Sequence, residues 1–257
     1  MQQLIEISAP VAGNSTELIL EQRSFRQAEV EEVFQVLQSI NNGLGQAVYN
    51  NNSRNEGKSL SSWGKRLDLK HLVVGGHSYG AVLALQVLSD SLVPANAGLT
   101  FDPGKSSGPL NSNFNQSVVI PDSEAWSAEP SEFYGQQHFE VVKSIAQSSL
   151  NKTGAGWFMT LLGTAHTSIT DAPLLVGSLL AFFDPTSLNV TLGRPEANIQ
   201  QYVNISAEFF VFLVNGSRSG VLASDVTTPE FEIINLNATN VAGLFDGWEV
   251  HVAPSTK

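Results

Sequence analysis

The chain has 257 residues, 42% hydrophobic and only 14% charged, so it can bury a sizeable core and is neither a disordered tail nor a highly charged nucleic-acid binder. Its net charge of -11 repels phosphate backbones, which argues against nucleic acid and strongly anionic membranes as partners. It has no cysteine, which excludes disulfides, thiolate catalysis and Cys-ligated zinc or iron–sulfur centres.

The whole chain, 1–257, reads as a single domain, with 1–23 and 216–257 unplaced. A helix is expected from Ser24, where Ser24 and Gln27 fit a capping box and Val30, Val33, Phe34, Leu37 and Ile40 recur at helical spacing. Asn41, Asn42 and Gly43 should stop it, and residues 43–62 read as a polar loop. Within that loop Gly57-Lys58-Ser59 is not a phosphate loop, because the required earlier glycine is Asn52. After a short amphipathic stretch from Ser62 to Leu69, the apolar run His71 to Gly75 suits a buried parallel strand.

A helix is then expected over Tyr79 to Ser91, and a strand over Ala97 to Phe101. Another strand is expected over Gln116 to Ile120, ended by Pro121, and a helix over Gly135 to Ser149. A strand follows over Trp157 to Leu162, then helices over Asp171 to Phe183 and Ala197 to Asn215. Beyond that only weak β character near Phe231 to Ile234 stands out. The alternation of strand and helix predicts an α/β fold, a mostly parallel sheet with helices on its faces.

Gly76-His77-Ser78-Tyr79-Gly80 matches G-x-S-x-G. The pattern serves chemistry because a serine oxygen must project from a turn too tight for flanking side chains. The serine then opens a helix, whose N–H groups and dipole favour developing negative charge. Gly104-Lys105-Ser106-Ser107-Gly108 fits the same pattern, but Ser106 lies between Pro103 and Pro109 with no helix behind it. Ser78 is therefore the candidate nucleophile.

A nucleophilic serine needs a base oriented by an acid. Of the five histidines, His71 begins a strand before the elbow, His77 is inside it, His138 is in a polar part of a helix and His251 is in the tail. His166 alone follows a full apolar strand, in Gly163-Thr164-Ala165-His166. In a parallel sheet that places it on the same edge as Ser78. For the acid, Asp90 lies too far along the helix after Ser78, while Asp102 and Asp122 both end strands on the correct edge. Position alone leaves Asp102 and Asp122 open.

Four segments in order resemble the platelet-activating factor acetylhydrolase family, and are more closely similar to its secreted fungal members. They are Arg26-Gln-Ala-Glu-Val-Glu-Glu-Val, Leu67-Asp-Leu-Lys-His-Leu-Val-Val-Gly-Gly-His-Ser-Tyr-Gly, Leu99-Thr-Phe-Asp-Pro and Leu162-Gly-Thr-Ala-His. The resemblance runs from about Arg26 to Phe183 and on through the helix ending near Asn215. It implies an α/β-hydrolase fold with Ser78 as nucleophile, Asp102 as the acid, His166 as the base and the Tyr79 N–H as one oxyanion donor. It implies a serine esterase acting on the short sn-2 acyl ester of a glycerophospholipid, with no metal or organic cofactor and with peripheral contact to lipid surfaces. The family also has strands and a His-Gly loop before its nucleophile, and these do not precede Ser78 here. The chain thus resembles a truncated member, whose N-terminal strands are incomplete and whose oxyanion hole lacks its second donor. Alternative readings are another α/β-hydrolase carboxylesterase, or a non-catalytic truncated remnant.

Eight asparagines fit the N-x-S/T acceptor pattern, namely Asn14, Asn51, Asn115, Asn151, Asn189, Asn204, Asn215 and Asn237. They suggest a secreted or secretory-pathway glycoprotein, although residues 1–20 carry no secretory signal and Asn204 falls in a helical pattern. No window has the roughly 20 apolar residues of a transmembrane span.

Overall fold

A computed structural model describes residues 15–54, 56–175, 195–231 and 247–255. The first element is helix α1, Ser15–Ser39. It begins well before Ser24, which is no cap: the Ser24 hydroxyl donates to the Leu20 carbonyl one turn back at 3.0 Å. Residues 15–23 contain neither Gly nor Pro, so nothing interrupts the helix, and a mid-helix serine is tolerated when it bonds back to i−4. Leu18, Leu20 and Phe25 are exposed, which is why this stretch shows no amphipathic period.

Asn41-Asn42-Gly43 also does less than expected. A single π-helical turn, Ile40–Leu44, absorbs the break, with Gly43 at φ 90°. Helix α2, Gly45–Asn51, then forms inside the stretch expected to be loop, and a 3-10 turn at Lys58–Ser62 follows it. A glycine taking up the positive φ lets the chain turn and resume a helix.

Strand β1, Leu72–His77, leads into helix α3, Tyr79–Val87, and then strand β2, Ala95–Phe101. Strand β3, Ser117–Ser123, passes through Pro121 instead of ending there. The Pro121 carbonyl accepts the Asp102 N–H at 3.2 Å, so the edge of Pro121 that lacks a donor faces β2. The β2–β3 ladder pairs only Ala97–Leu99 with Ser117–Val119, so no ladder bond is forfeited at Pro121. A four-residue helix, α4 (Glu124–Ser127), follows directly. A small antiparallel pair comes next, β4 (Pro130–Ser131) with β5 (Gln136–Gln137).

Helix α5, His138–Thr153, precedes strand β6, Gly156–Leu161. The expected helix after Asp171 begins at residues 172–175; its remainder to Phe183 lies outside the described residues. Helix α6 is Pro195–Asn215, and a 3-10 turn spans Gly220–Ala223. The last strand, β7, Trp248–Val252, pairs antiparallel with β6. The β character expected further upstream, near Phe231 to Ile234, is not a strand at Phe231; the other three residues lie outside the described ones.

The sheet order is β1-β2-β3-β6-β7, parallel throughout except for β7. Period-two alternation sorts its side chains. Val118, Ile120 and Phe158 join one core with Val82 and Leu85 of α3 and Phe139, Val142 and Ile145 of α5. Val119, Trp157 and Met159 join the other with Ile205 and Phe209 of α6 and Leu222. Apolar side chains on both faces are what a parallel sheet sandwiched between helices requires. α1 packs Phe34 against Val87 and Val93, beside β1.

Candidate active site

The site lies at the C-terminal edge of the parallel strands. His77, the last residue of β1, pairs with Phe101 of β2, and the Ser78 N–H donates to the Phe101 carbonyl at 3.0 Å. Ser78 has φ 59° and ψ -121°, a conformation L-residues seldom adopt. It is held from both sides: its N–H by β2, and its carbonyl by the Ala81 and Val82 N–H groups at 3.1 and 3.3 Å. Tyr79 is the first residue of α3, so its N–H has no acceptor within the helix and points along the positive end of the dipole.

The two glycines of the motif are not equivalent. A Cβ on Gly76 would sit 2.3 Å from the Gly80 carbonyl carbon, so the helix passes directly over it. A Cβ on Gly80 would meet nothing within 4 Å. The second motif serine, Ser106, is exposed in the irregular segment after β2.

The His166 Nε2 lies 2.8 Å from the Ser78 Oγ, and the His166 Nδ1 lies 3.0 Å from the Asp102 Oδ2. Of the two strand-end acids, it is Asp102 that the structure brings to His166. Asp102 is 2% exposed and, like Ser78, has a positive φ, 45°. Its Oδ1 accepts the Ser123 N–H at 2.6 Å and its Oδ2 the Ser123 hydroxyl at 2.8 Å. Ser123 and Asp102 are the residues at the ends of adjacent strands, so the sheet itself aims the carboxylate.

Asp122 is fully buried one residue away on β3, and its Oδ2 accepts from Ser127 at 3.5 Å. Burial, and secondarily the charge of Asp102, push its carboxyl well above the usual carboxylate range. His138 and His251 are likewise wholly buried and not in a polar helix face or a loose tail. His138 opens α5, and His251 on β7 lies 2.9 Å from the Thr160 hydroxyl. Burial lowers both to about 4, so they are neutral.

The loop carrying His166 is pinned by α4. The Glu124 Oε2 accepts the Gly163 N–H at 2.7 Å and the Ala125 N–H donates to the Thr164 carbonyl at 3.1 Å. Burial raises Glu124, and the Gly163 N–H partly offsets this. Ser123 and Glu124 were not legible as site residues in the sequence, because each acts through a strand or loop distant along the chain.

His77, Asp102 and His166 offer ligand atoms within 4.8 Å of one another. The two Asp102 oxygens already accept three hydrogen bonds between them, from Ser123 and His166, which leaves them little lone-pair capacity for a cation. His77 is lowered by burial and then by the nearby His166. Among the described residues no helix is long and apolar enough to cross a membrane.

None of the curated proteins compared with the chain matches it. The family model for platelet-activating factor acetylhydrolase, isoform II, matches residues 2–211, which take in the elbow at Ser78, the β2 terminus at Asp102 and the loop at His166. With most of its length matched and a mostly parallel α/β-hydrolase sheet, the chain belongs to the platelet-activating factor acetylhydrolase, isoform II, family.

Proposed function

We propose that the protein is a serine esterase that removes a short sn-2 acyl group from a glycerophospholipid, with Ser78, His166 and Asp102 as its catalytic triad. The hydrogen-bonded run from the Ser78 Oγ through both nitrogens of His166 to Asp102 carries this reading. The Ser78 oxygen attacks the ester carbonyl carbon while His166 Nε2 takes its proton. The tetrahedral oxyanion is met by the Tyr79 N–H at the start of α3. Collapse breaks the bond to the leaving alcohol, which receives the proton from His166. Water, deprotonated by the same nitrogen, then attacks the acyl-serine, and His166 passes that proton to the departing Ser78 oxygen as the acid is freed. Asp102 keeps the Nδ1 proton facing away from Ser78 and stabilises the imidazolium.

An apolar groove of about 400 Å³, lined by Phe101, Ile169, Ile199, Tyr202, Val203 and Phe210, supports a lipid substrate; one of its wall residues, Phe101, accepts the Ser78 N–H through its carbonyl. A net charge of -11 favours a zwitterionic head group over an anionic one. Five of the eight acceptor asparagines fall on described residues, and all five are exposed, which supports passage through the secretory pathway.

The test is turnover on phosphatidylcholines of increasing sn-2 chain length, beside labelling by a fluorophosphonate. Labelling at Ser78 with turnover falling as the acyl chain lengthens is the expected result. Labelling with equal turnover on simple esters of any length makes the chain a general carboxylesterase, and no labelling at all refutes the nucleophile.

A further inference from the structure

His166 is held by more than its two hydrogen bonds. Its ring lies flat on the indole of Trp126, with ring centroids 3.6 Å apart and planes 11° from parallel. The indole is fixed in turn. Its Nε1–H donates to the Pro103 carbonyl at 2.9 Å, and His138 meets its edge at 6.2 Å and 86°. Lys105, only 8% exposed, sets its Nζ 3.5 Å from the indole centroid and is ion-paired with Glu129. One indole face cannot hold both a ring and an ammonium at such distances, so Lys105 lies on the face away from His166.

Two hydrogen bonds fix two points of an imidazole but leave the ring free to tilt about the line joining them. The Nε2 lone pair lies in the ring plane, and a proton transfer weakens steeply with misalignment. A flat surface 3.6 Å away removes that tilt. Cation–π attraction between Trp126 and the imidazolium is not the main contribution, because Lys105 already draws on the same π system from the other face.

We propose that Trp126 is a positioning residue for the reaction: clamped by Lys105 and Pro103, it sets the plane of His166 and so aims Nε2 at Ser78. The inference rests on the triad reading above. It also gives α4 a purpose, since its first residue pins the His166 loop and its third fixes the His166 ring.

The experiment compares Trp126→Leu, which fills volume without a plane, with Trp126→Phe, which restores one. The substrate is p-nitrophenyl acetate, too small to depend on the lipid groove. Trp126→Leu is expected to lower kcat about 10- to 100-fold, the cost of a slightly misaimed group, with KM within a factor of about two. Trp126→Phe should recover most of the loss, and the rate of fluorophosphonate labelling should follow kcat. In the unaltered chain the His166 ring protons, assigned by their loss in His166→Gln, should resonate upfield of the other histidines through the indole ring current. That measurement needs no variant of Trp126 to fold and no turnover. Unshifted His166 protons, an unchanged kcat in Trp126→Leu, a loss confined to KM, or equal impairment of the Leu and Phe variants would each overturn the proposal. If the unaltered chain neither turns over nor labels, the esterase reading fails, while the proton shifts still report whether the stack exists.

Discussion

Replacing Asp102 by Asn tests the relay with the least change of shape, and the hydrogen bonds dictate how the amide must sit. The Ser123 N–H, 2.6 Å from Oδ1, belongs to the backbone and cannot turn away, so the amide oxygen stays at that position. The NH2 group then replaces Oδ2, which now faces the Ser123 hydroxyl at 2.8 Å and His166 Nδ1 at 3.0 Å. The hydroxyl can rotate to accept, but Nδ1 must become an acceptor too. That moves the imidazole proton to Nε2, where it points at the Ser78 Oγ 2.8 Å away. An imidazole in this tautomer cannot take the serine proton. The expected loss is about 10⁴ in kcat, or about 5 kcal/mol of barrier. The assay is turnover of a short-acyl phosphatidylcholine at neutral pH, with a thermal melt to show that the fold survives. A kcat within about tenfold of the unaltered chain would refute the argument that the carboxylate sets the tautomer. Asp122→Asn is the control, since it makes no contact with His166, and it should leave kcat within a factor of about three.

Ser78→Ala should abolish both turnover and fluorophosphonate labelling while Ser106→Ala keeps both; lost activity in the Ser106 variant would reverse the assignment. Gly76→Ala, whose Cβ would lie 2.3 Å from the Gly80 carbonyl carbon, should remove activity by displacing the elbow, whereas Gly80→Ala should keep activity and melt no lower than the unaltered chain. Inactivity of Gly80→Ala would show that the space beside that residue is needed. His138 and His251, held at about 4 against 6.5 unfolded, stay neutral in the fold while the unfolded chain gains protons between about pH 6.5 and 4. Stability should therefore fall as pH drops through that window, by about 3 kcal/mol for each histidine. Asp122, pushed upward by burial, works in the opposite direction. Denaturant titrations at pH 7 and pH 5 should show a shallower loss in His251→Gln, and an unchanged slope would show that His251 takes up its proton while folded.

The parts of the fold that were legible in the sequence are those set by local pattern. The apolar runs gave β1, β2 and β6 within one or two residues, and the glycine-flanked turn gave the elbow. The family was legible too, because four short segments keep their order. What escaped depends on partners far along the chain. Pro121 looked like a strand terminus because its missing donor matters only where a ladder is present, and β2 has already diverged there. β7, Trp-Glu-Val-His-Val, alternates strand-forming and polar residues, but it is only five residues long in a segment left unplaced, and its partner β6 lies far along the chain. Asp102 and Asp122 were equivalent by position and are both buried; the hydrogen bonds that Asp102 accepts from Ser123 and His166 separate them. Trp126 sits in a four-residue helix with no sequence signal, and its neighbours Lys105 and His166 come from other segments.

The parallel order of β1, β2, β3 and β6 has a consequence for how the protein is made. Ser78 and His166 are 88 residues apart, and the strands between them must pair before the two side chains meet. At about 5–20 residues per second, a ribosome takes roughly 4 to 18 seconds to travel from one to the other. Throughout that interval the emerging chain carries the serine without its base. On the triad reading, a nascent or prematurely released fragment that ends before His166 has no base beside Ser78. On refolding from denaturant, the return of probe labelling should lag the helical signal of α1 and α3, because non-local parallel pairing is the slow step.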